Sequence, residues 1–232
     1  MIRYLKSQKE YLDSRERLIE ANLSFLTEKR SLIKRSLLSP KTGDLLKSWD
    51  LELAISEIKK TFATDAQIID FGAYGSEIPW CLERLGYRNI HGVDLNPDIL
   101  NYPKNSITWV VEDYYESHFE DDSADCITAI SVIEHGYDPI KLIREAHRVL
   151  KTSGKFVFSF DYWPTKIDTS TEYIFDMTWT ILSKEEFETL VDLAQDYGFE
   201  LLGQEDELPS VPVISYNNKD YTFAFVVLEK VR

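Results

Sequence analysis

A chain of 232 residues, 44% of them hydrophobic and 28% charged, suits one large α/β domain, or one domain with an appendage. Its formal net charge of −14 excludes a general affinity for nucleic acid, which needs clustered Lys and Arg to displace counterions. No apolar run reaches the roughly 18 residues of a membrane span. The first twenty residues are too charged for a secretory signal, so a soluble cytoplasmic protein is expected.

The charge is uneven. Residues 1–40 hold nine Lys/Arg against five Asp/Glu, a balance of +4, which leaves −18 for the remainder. The first 37 residues contain no Gly or Pro and read as helix, with apolar pairs every seven residues: Tyr4/Leu5, Tyr11/Leu12, Leu18/Ile19, Phe25/Leu26 and Leu32/Ile33. That single cluster per heptad makes a sparse stripe, not a coiled-coil seam. It predicts packing along the main domain or against a second subunit, so a homodimer through the N-terminal helices is one expectation. Pro40 and Gly43 break the pattern, and a second amphipathic helix follows, with Asp44 as its N-cap. Residues 1–60 are accordingly read as a helical arm or cap, and residues 61–232 as the main domain.

From Gln67 strands and helices alternate. Strands are predicted at "QIIDF", "NIHGVDL", "ITWVV", "ADCITAISVI" and "GKFVFSF". A helix "EIPWCLERLG" ends at Gly86, and a second, "PIKLIREAHRVLK", is capped by Asp138 with Pro139 at its first position. An insert over 161–182 precedes "SKEEFETLVDLAQDYG", where Ser183 and Glu186 form a capping box. "FELLGQ" and "YTFAFVVLEKV" close the chain as strands. Helical crossovers between buried strands imply a mostly parallel, doubly wound sheet, with ligands bound outside the carboxyl ends of its strands. Cys81 and Cys126 fall in apolar patterns and read as buried thiols.

The first strand runs into Gly72-Ala73-Tyr74-Gly75-Ser76-Glu77. A dinucleotide fingerprint needs Gly at the first, third and sixth positions; here the third is Tyr74 and the sixth Glu77. No Gly-Lys-Ser/Thr follows, which excludes a P-loop. The loop is built for something other than a polyphosphate.

The ordered set "IIDFGAYGS", "HGVDLNP", "VVEDYYE" and "ADCITAISVIEHGYDPIKLIREAHRVLKTSGKFVFSF" resembles the class I, Rossmann-like S-adenosylmethionine-dependent methyltransferases over about residues 66–204. The family loop reads Asp-x-Gly-x-Gly-x-Gly; this chain keeps Asp70 and Gly72, places Tyr74 at the next Gly, and ends on Gly75 and Ser76. The resemblance implies a doubly wound seven-stranded sheet with an antiparallel last strand, preceded here by the helical extension. It implies S-adenosyl-L-methionine as cofactor. Gly72, Ala73, Tyr74 and Gly75 would take its amino-acid portion, Asp94 both ribose hydroxyls and Asp113 the adenine amino group. Leu95 or Tyr114 would lie on the adenine face, and Ser131 near the methionine part.

Methyl transfer is an in-line displacement that needs alignment first, and a base when the acceptor is a weakly acidic hydroxyl. His135 follows the fourth strand and is the candidate base; it would otherwise shape the turn. Asp161 ends the fifth strand and would orient the acceptor or serve as base. Glu134 and His135 sharing a metal is the poorer reading, and no metal is expected. His91, His147 and His118 suggest structural roles. The aromatic, hydroxyl-rich insert suits a pocket wall for a polar molecule or sugar, and Trp49 and the N-terminal helices could roof it. The expected function is methylation of a small molecule, at a hydroxyl of a sugar-like acceptor. The alternatives are N- or C-methylation of a natural-product intermediate, or a methyltransferase-like binding module without catalysis.

Overall fold

The computed structural model describes residues 1–26 and 42–232. It begins with a strand, β1 (Ile2–Tyr4), then helix α1 (Gln8–Glu20) and, past the undescribed stretch, α2 (Ser48–Thr61). The alternating part follows as β2 (Gln67–Phe71), α3 (Ile78–Arg84), β3 (Asn89–Asp94), β4 (Ile107–Val111), β5 (Ala124–Ile130), α4 (Pro139–Val149) and β6 (Leu150–Tyr162). A short hairpin, β7 (Tyr173–Ile174) and β8 (Met177–Thr178), precedes α5 (Lys184–Tyr197); β9 (Phe199–Leu201), β10 (Ile214–Tyr216) and β11 (Lys219–Lys230) close the chain.

The main sheet runs β1-β11-β6-β5-β2-β3-β4, with β9 and β10 also paired to β11. Strands β2 to β6 are mutually parallel, and β11 is antiparallel to β6 from Thr222↔Tyr162 to Glu229↔Lys155. Seven strands lie on the path, with β1 in the place expected for "FELLGQ", and the side pairings of β9 and β10 bring the sheet to nine. Buried apolar residues line both of its faces, as crossover helices require. Local signals place the helix starts: the Asp138 side chain accepts from Lys141 N, and Ser183 and Glu186 complete their reciprocal capping box. Cys81 and Cys126 are buried free thiols.

Two expectations are corrected. The first residues are not continuous helix, because Ile2–Tyr4 pair with Val226, Phe225 and Ala224 of β11, and α1 starts only at Gln8. Unpaired edge groups of β11 offer hydrogen bonds that local helix propensity does not outweigh. Asp44 caps a turn ahead of α2, by accepting from Leu46 N, while the helix starts at Ser48. The Leu32/Ile33 pair and Pro40 lie outside the described residues.

Candidate active site

Strands β2 to β6 bring their carboxyl ends to one rim, and the site is assembled there. Gly72 adopts φ +70°, and a β-carbon on it would run into the Val132 side chain, so only glycine turns the chain here. Ala73 N donates to Val93 O (3.0 Å), Tyr74 N to Asp94 Oδ2 (2.9 Å) and Gly75 N to Tyr102 Oη (2.9 Å). The Tyr74 ring stacks on Tyr102 with centroids 5.8 Å apart and planes 3° apart, and Tyr102 meets Trp80 and Trp109 edge-on. Tyr74 thus completes an aromatic pile with Tyr102, Trp80 and Trp109. The segment before α2 lies over this loop, with Gly43 N donating to Gly75 O (2.8 Å).

Asp94 ends β3 half-buried. Each of its oxygens accepts one backbone N–H, Oδ2 from Tyr74 and Oδ1 from Asn96 (2.8 Å), and each retains a lone pair for a diol. Leu95 beside it is 53% exposed, an uncovered apolar face next to β4, whose last residue Val111 pairs with Asp94. These residues fit a nucleoside with a ribose diol. Asp113 is exposed and its side chain accepts from Tyr115 N (2.9 Å), so its carboxylate also caps a turn. Tyr114 does not offer its ring: it is buried and stacked on Phe71, centroids 5.1 Å apart, because the core takes that aromatic area first. Leu95 alone of the two presents a free face. Ala73 is likewise buried by its side chain.

On the other half of the rim, Ser131 (φ +51°) follows β5. Its Oγ donates to Asp50 Oδ2 (3.1 Å), which also accepts from Ser159 Oγ (2.7 Å). Asp50, from α2, is wholly buried, and burial raises its pKa against the pull of Lys47 and the two serines. Trp49 does not roof the site; it packs edge-on against Phe225 of β11, 6.3 Å away.

His135 is strapped into place. Its backbone N donates to Val132 O (3.0 Å), the neighbouring Gly136 N donates to Thr178 O (2.8 Å), and the Phe175 ring stands edge-on to the imidazole at 5.3 Å. Burial, reinforced by the charge of Lys47, lowers the imidazole to about 4, and Nδ1 has no hydrogen-bond partner among the described residues. The ring is therefore neutral at pH 7. Beside it Glu134 (1% exposed) has Oε2 without a partner, and burial, then the charge of Asp161, pushes its carboxyl well up. Asp161 (4% exposed) accepts from Trp179 Nε1 at Oδ2 (2.8 Å), while Oδ1 has no hydrogen bond among the described residues and faces Lys47 Nζ at 4.0 Å. Burial raises Asp161 too, opposed by Lys47, Trp179 and Tyr221. Among the described residues no group of three or more His, Cys, Asp or Glu is arranged to hold a metal ion.

Sequence reasoning brought Ser131, His135 and Asp161 to this rim but missed Asp50 in α2 and Lys47 at its N-cap. Their signal was weak: a charged pair on an amphipathic helix reads as its solvated face. The remaining histidines lie elsewhere: His91 edge-on to Phe119 in β3, His118 paired with Glu112, and His147 bonded to Arg232 O. No helix among the described residues is long and apolar enough to cross a membrane.

Comparison with known proteins agrees with this geometry. The methyltransferase domain family matches residues 69–158. No curated protein matches the sequence. An S-adenosylmethionine-dependent methyltransferase from Methanosarcina mazei superposes with a TM-score of 0.56 at 18% identity, over 75% of this chain and 97% of that one. Phosphoethanolamine N-methyltransferase 2 of Haemonchus contortus, solved with S-adenosyl-L-methionine, gives 0.59 at 19% identity, over 79% of this chain and 53% of its own. A Haloferax volcanii methyltransferase complexed with the activator Trm112 gives 0.58 at 18% identity, over 79% and 90%. At such identities the structures establish the fold. The domain match adds that residues 69–158 form a methyltransferase domain, for which S-adenosyl-L-methionine is the methyl donor.

Proposed function

We propose that the enzyme methylates a small molecule at a hydroxyl of a polar, sugar-like acceptor, in the cytoplasm, with His135 as general base. The observation that carries this reading is the buried, neutral imidazole with a free Nδ1, on the same rim as the unsatisfied Asp161 Oδ1. A hydroxyl holds its proton at neutral pH, so attack is aided by a neutral base at hydrogen-bond reach.

In this reading Asp94 holds the ribose hydroxyls, Leu95 lies on the adenine, Asp113 accepts from the adenine amino group, and the backbone of 72–75 and Ser131 flank the amino-acid part. The cofactor supplies an activated methyl carbon with a neutral thioether as leaving group. His135 takes the hydroxyl proton at Nδ1 and Asp161 orients the acceptor. Residues 1–60 serve as a cap on the 61–232 domain. Leu12 and Ile19, seven residues apart and both exposed on α1, support a homodimer through that face; light scattering on Leu12→Glu/Ile19→Glu tests it.

The function is tested by supplying methyl-labelled cofactor with a panel of hydroxylated small molecules and locating the label by NMR. A methyl ether is the expected product. His135→Asn should lower kcat by about 10²–10⁴-fold with S-adenosylhomocysteine affinity unchanged. Label on nitrogen, or an undiminished kcat in the variant, would overturn the hydroxyl reading or the base respectively.

A further inference from the structure

We propose that the acceptor is a cation, whose ammonium group takes the place now held by Lys47 Nζ between Asp161, Glu134 and the face of Phe223. This deepens the acceptor reading above and rests on it: the molecule is an amino alcohol or amino-sugar-like compound, recognised by its ammonium and methylated at a hydroxyl.

The unpartnered oxygens of two buried acids carry the inference. Asp50, Glu134 and Asp161 are 0%, 1% and 4% exposed, and Lys47 is the cation that acts on all three. Buried carboxylates are costly unless paired and hydrogen-bonded. Asp50 is satisfied by Ser131, Ser159 and Leu51 N. The other two are not, since Glu134 Oε2 and Asp161 Oδ1 have no hydrogen-bond donor among the described residues. Trp179 brings the two acids together: its Nε1 donates to Asp161 Oδ2, and its backbone bridges to His135, the residue next to Glu134.

Lys47 fills this position loosely. Its Nζ is 4.0 Å from Asp161 Oδ1, an ion pair but not a hydrogen bond, and 4.0 Å from the ring centroid of Phe223, the β11 residue that pairs with Asp161. Its side chain is 32% exposed and free to turn towards solvent, whereas the acids are fixed in strand and turn. A carboxylate pair under an aromatic face is the chemistry of ammonium recognition: three N–H donors for the unsatisfied oxygens, and a ring for the charge. A neutral hydroxyl has one O–H to donate to these two oxygens and no charge for the ring.

The test titrates Lys47→Ala calorimetrically, in the presence of S-adenosylhomocysteine, with butylammonium chloride and with 1-butanol. Butylammonium should bind at least tenfold more tightly than butanol, and the preference should vanish in Lys47→Ala/Asp161→Asn. Equal binding of both probes, in a folded protein that retains S-adenosylhomocysteine affinity, overturns the proposal while leaving hydroxyl methylation standing. If Lys47→Ala does not fold, Lys47→Met carries the same titration. Failure of the methyltransferase reading shows differently, as wild-type protein that does not bind S-adenosylhomocysteine.

Discussion

Arg15 of α1 grips Glu77, the residue capping the helix after the glycine loop, with two parallel bonds: Nη2 to Oε1 at 2.7 Å and Nη1 to Oε2 at 2.9 Å. Both residues are buried, and Arg15 also donates to Ser48 Oγ and Ser24 Oγ. One guanidinium therefore ties α1, the start of α2 and the cofactor loop together. Removing one partner leaves the other charge buried and unpaired. Arg15→Ala should cost about 3–5 kcal/mol in urea denaturation, and Arg15→Met/Glu77→Leu should recover much of it. A loss under about 1 kcal/mol would mean that water reaches Glu77 once the arginine is gone.

Asp70 links stability to pH. Burial lifts its carboxyl from 3.8 to about 7, opposed by Thr128 and Ser76, and Oδ2 has no partner among the described residues. A carboxyl raised in the folded state keeps its proton while the unfolded chain ionises. Its contribution is therefore fully present below about pH 4 and is lost as pH rises to about 7, up to about 4 kcal/mol. Measured by denaturation across that interval, the stability of Asp70→Asn minus wild type should rise with pH. A flat difference would show that Asp70 ionises normally.

Asp94 tests the nucleoside half of the site. Asp94→Ala should weaken S-adenosylhomocysteine binding by at least about tenfold, or about 1.4 kcal/mol. Because Asp94 also accepts from Tyr74 N and Asn96 N, hydrogen exchange of those two amides separates a lost ribose contact from a loosened loop. Unchanged affinity in calorimetry would remove Asp94 from the cofactor site.

The turn between β7 and β8 uses Phe175 (φ +56°) and Asp176 (φ +62°), where hairpins usually place Asn-Gly. Phe175 is 77% exposed and stands against His135. An aromatic residue in the left-handed region costs about 1–2 kcal/mol, and the contact of so exposed a ring with His135 offsets little of it. Phe175→Asn should raise the melting temperature and, if the ring contacts the acceptor, raise its KM with cofactor affinity unchanged. A KM equal to wild type would assign the ring no part in the site.

Much of the fold could be read from the chain because its signals are local. Asp138 and Pro139, Ser183 and Glu186, and the apolar runs of β2 to β6 announce their own elements. That Asp94, Ser131 and Asp161 share a rim was legible for the same reason: in a parallel sheet the strand ends lie together. What escaped depends on partners far away in sequence. Tyr74 makes sense only beside Tyr102 and Glu77 only beside Arg15, while Asp50 needs Ser159, more than a hundred residues on. Tyr114 was read as a site residue from its position after β4, but a large ring next to Phe71 finds more contact in the core than at the rim.

Strand β1 has a consequence for how the molecule is made. Ile2 pairs with Val226, and β9 takes the neighbouring stretch of β11 through Leu201↔Leu228. Two short strands from opposite ends of the sequence thus share one edge. On a ribosome, Ile2–Tyr4 emerge long before Ala224–Val226 and wait for that partner to be made. Closing that register spans a very long loop, so it belongs among the last steps of folding. Until then α1 rests on α2 and the glycine loop through Arg15, without the strand that anchors its start.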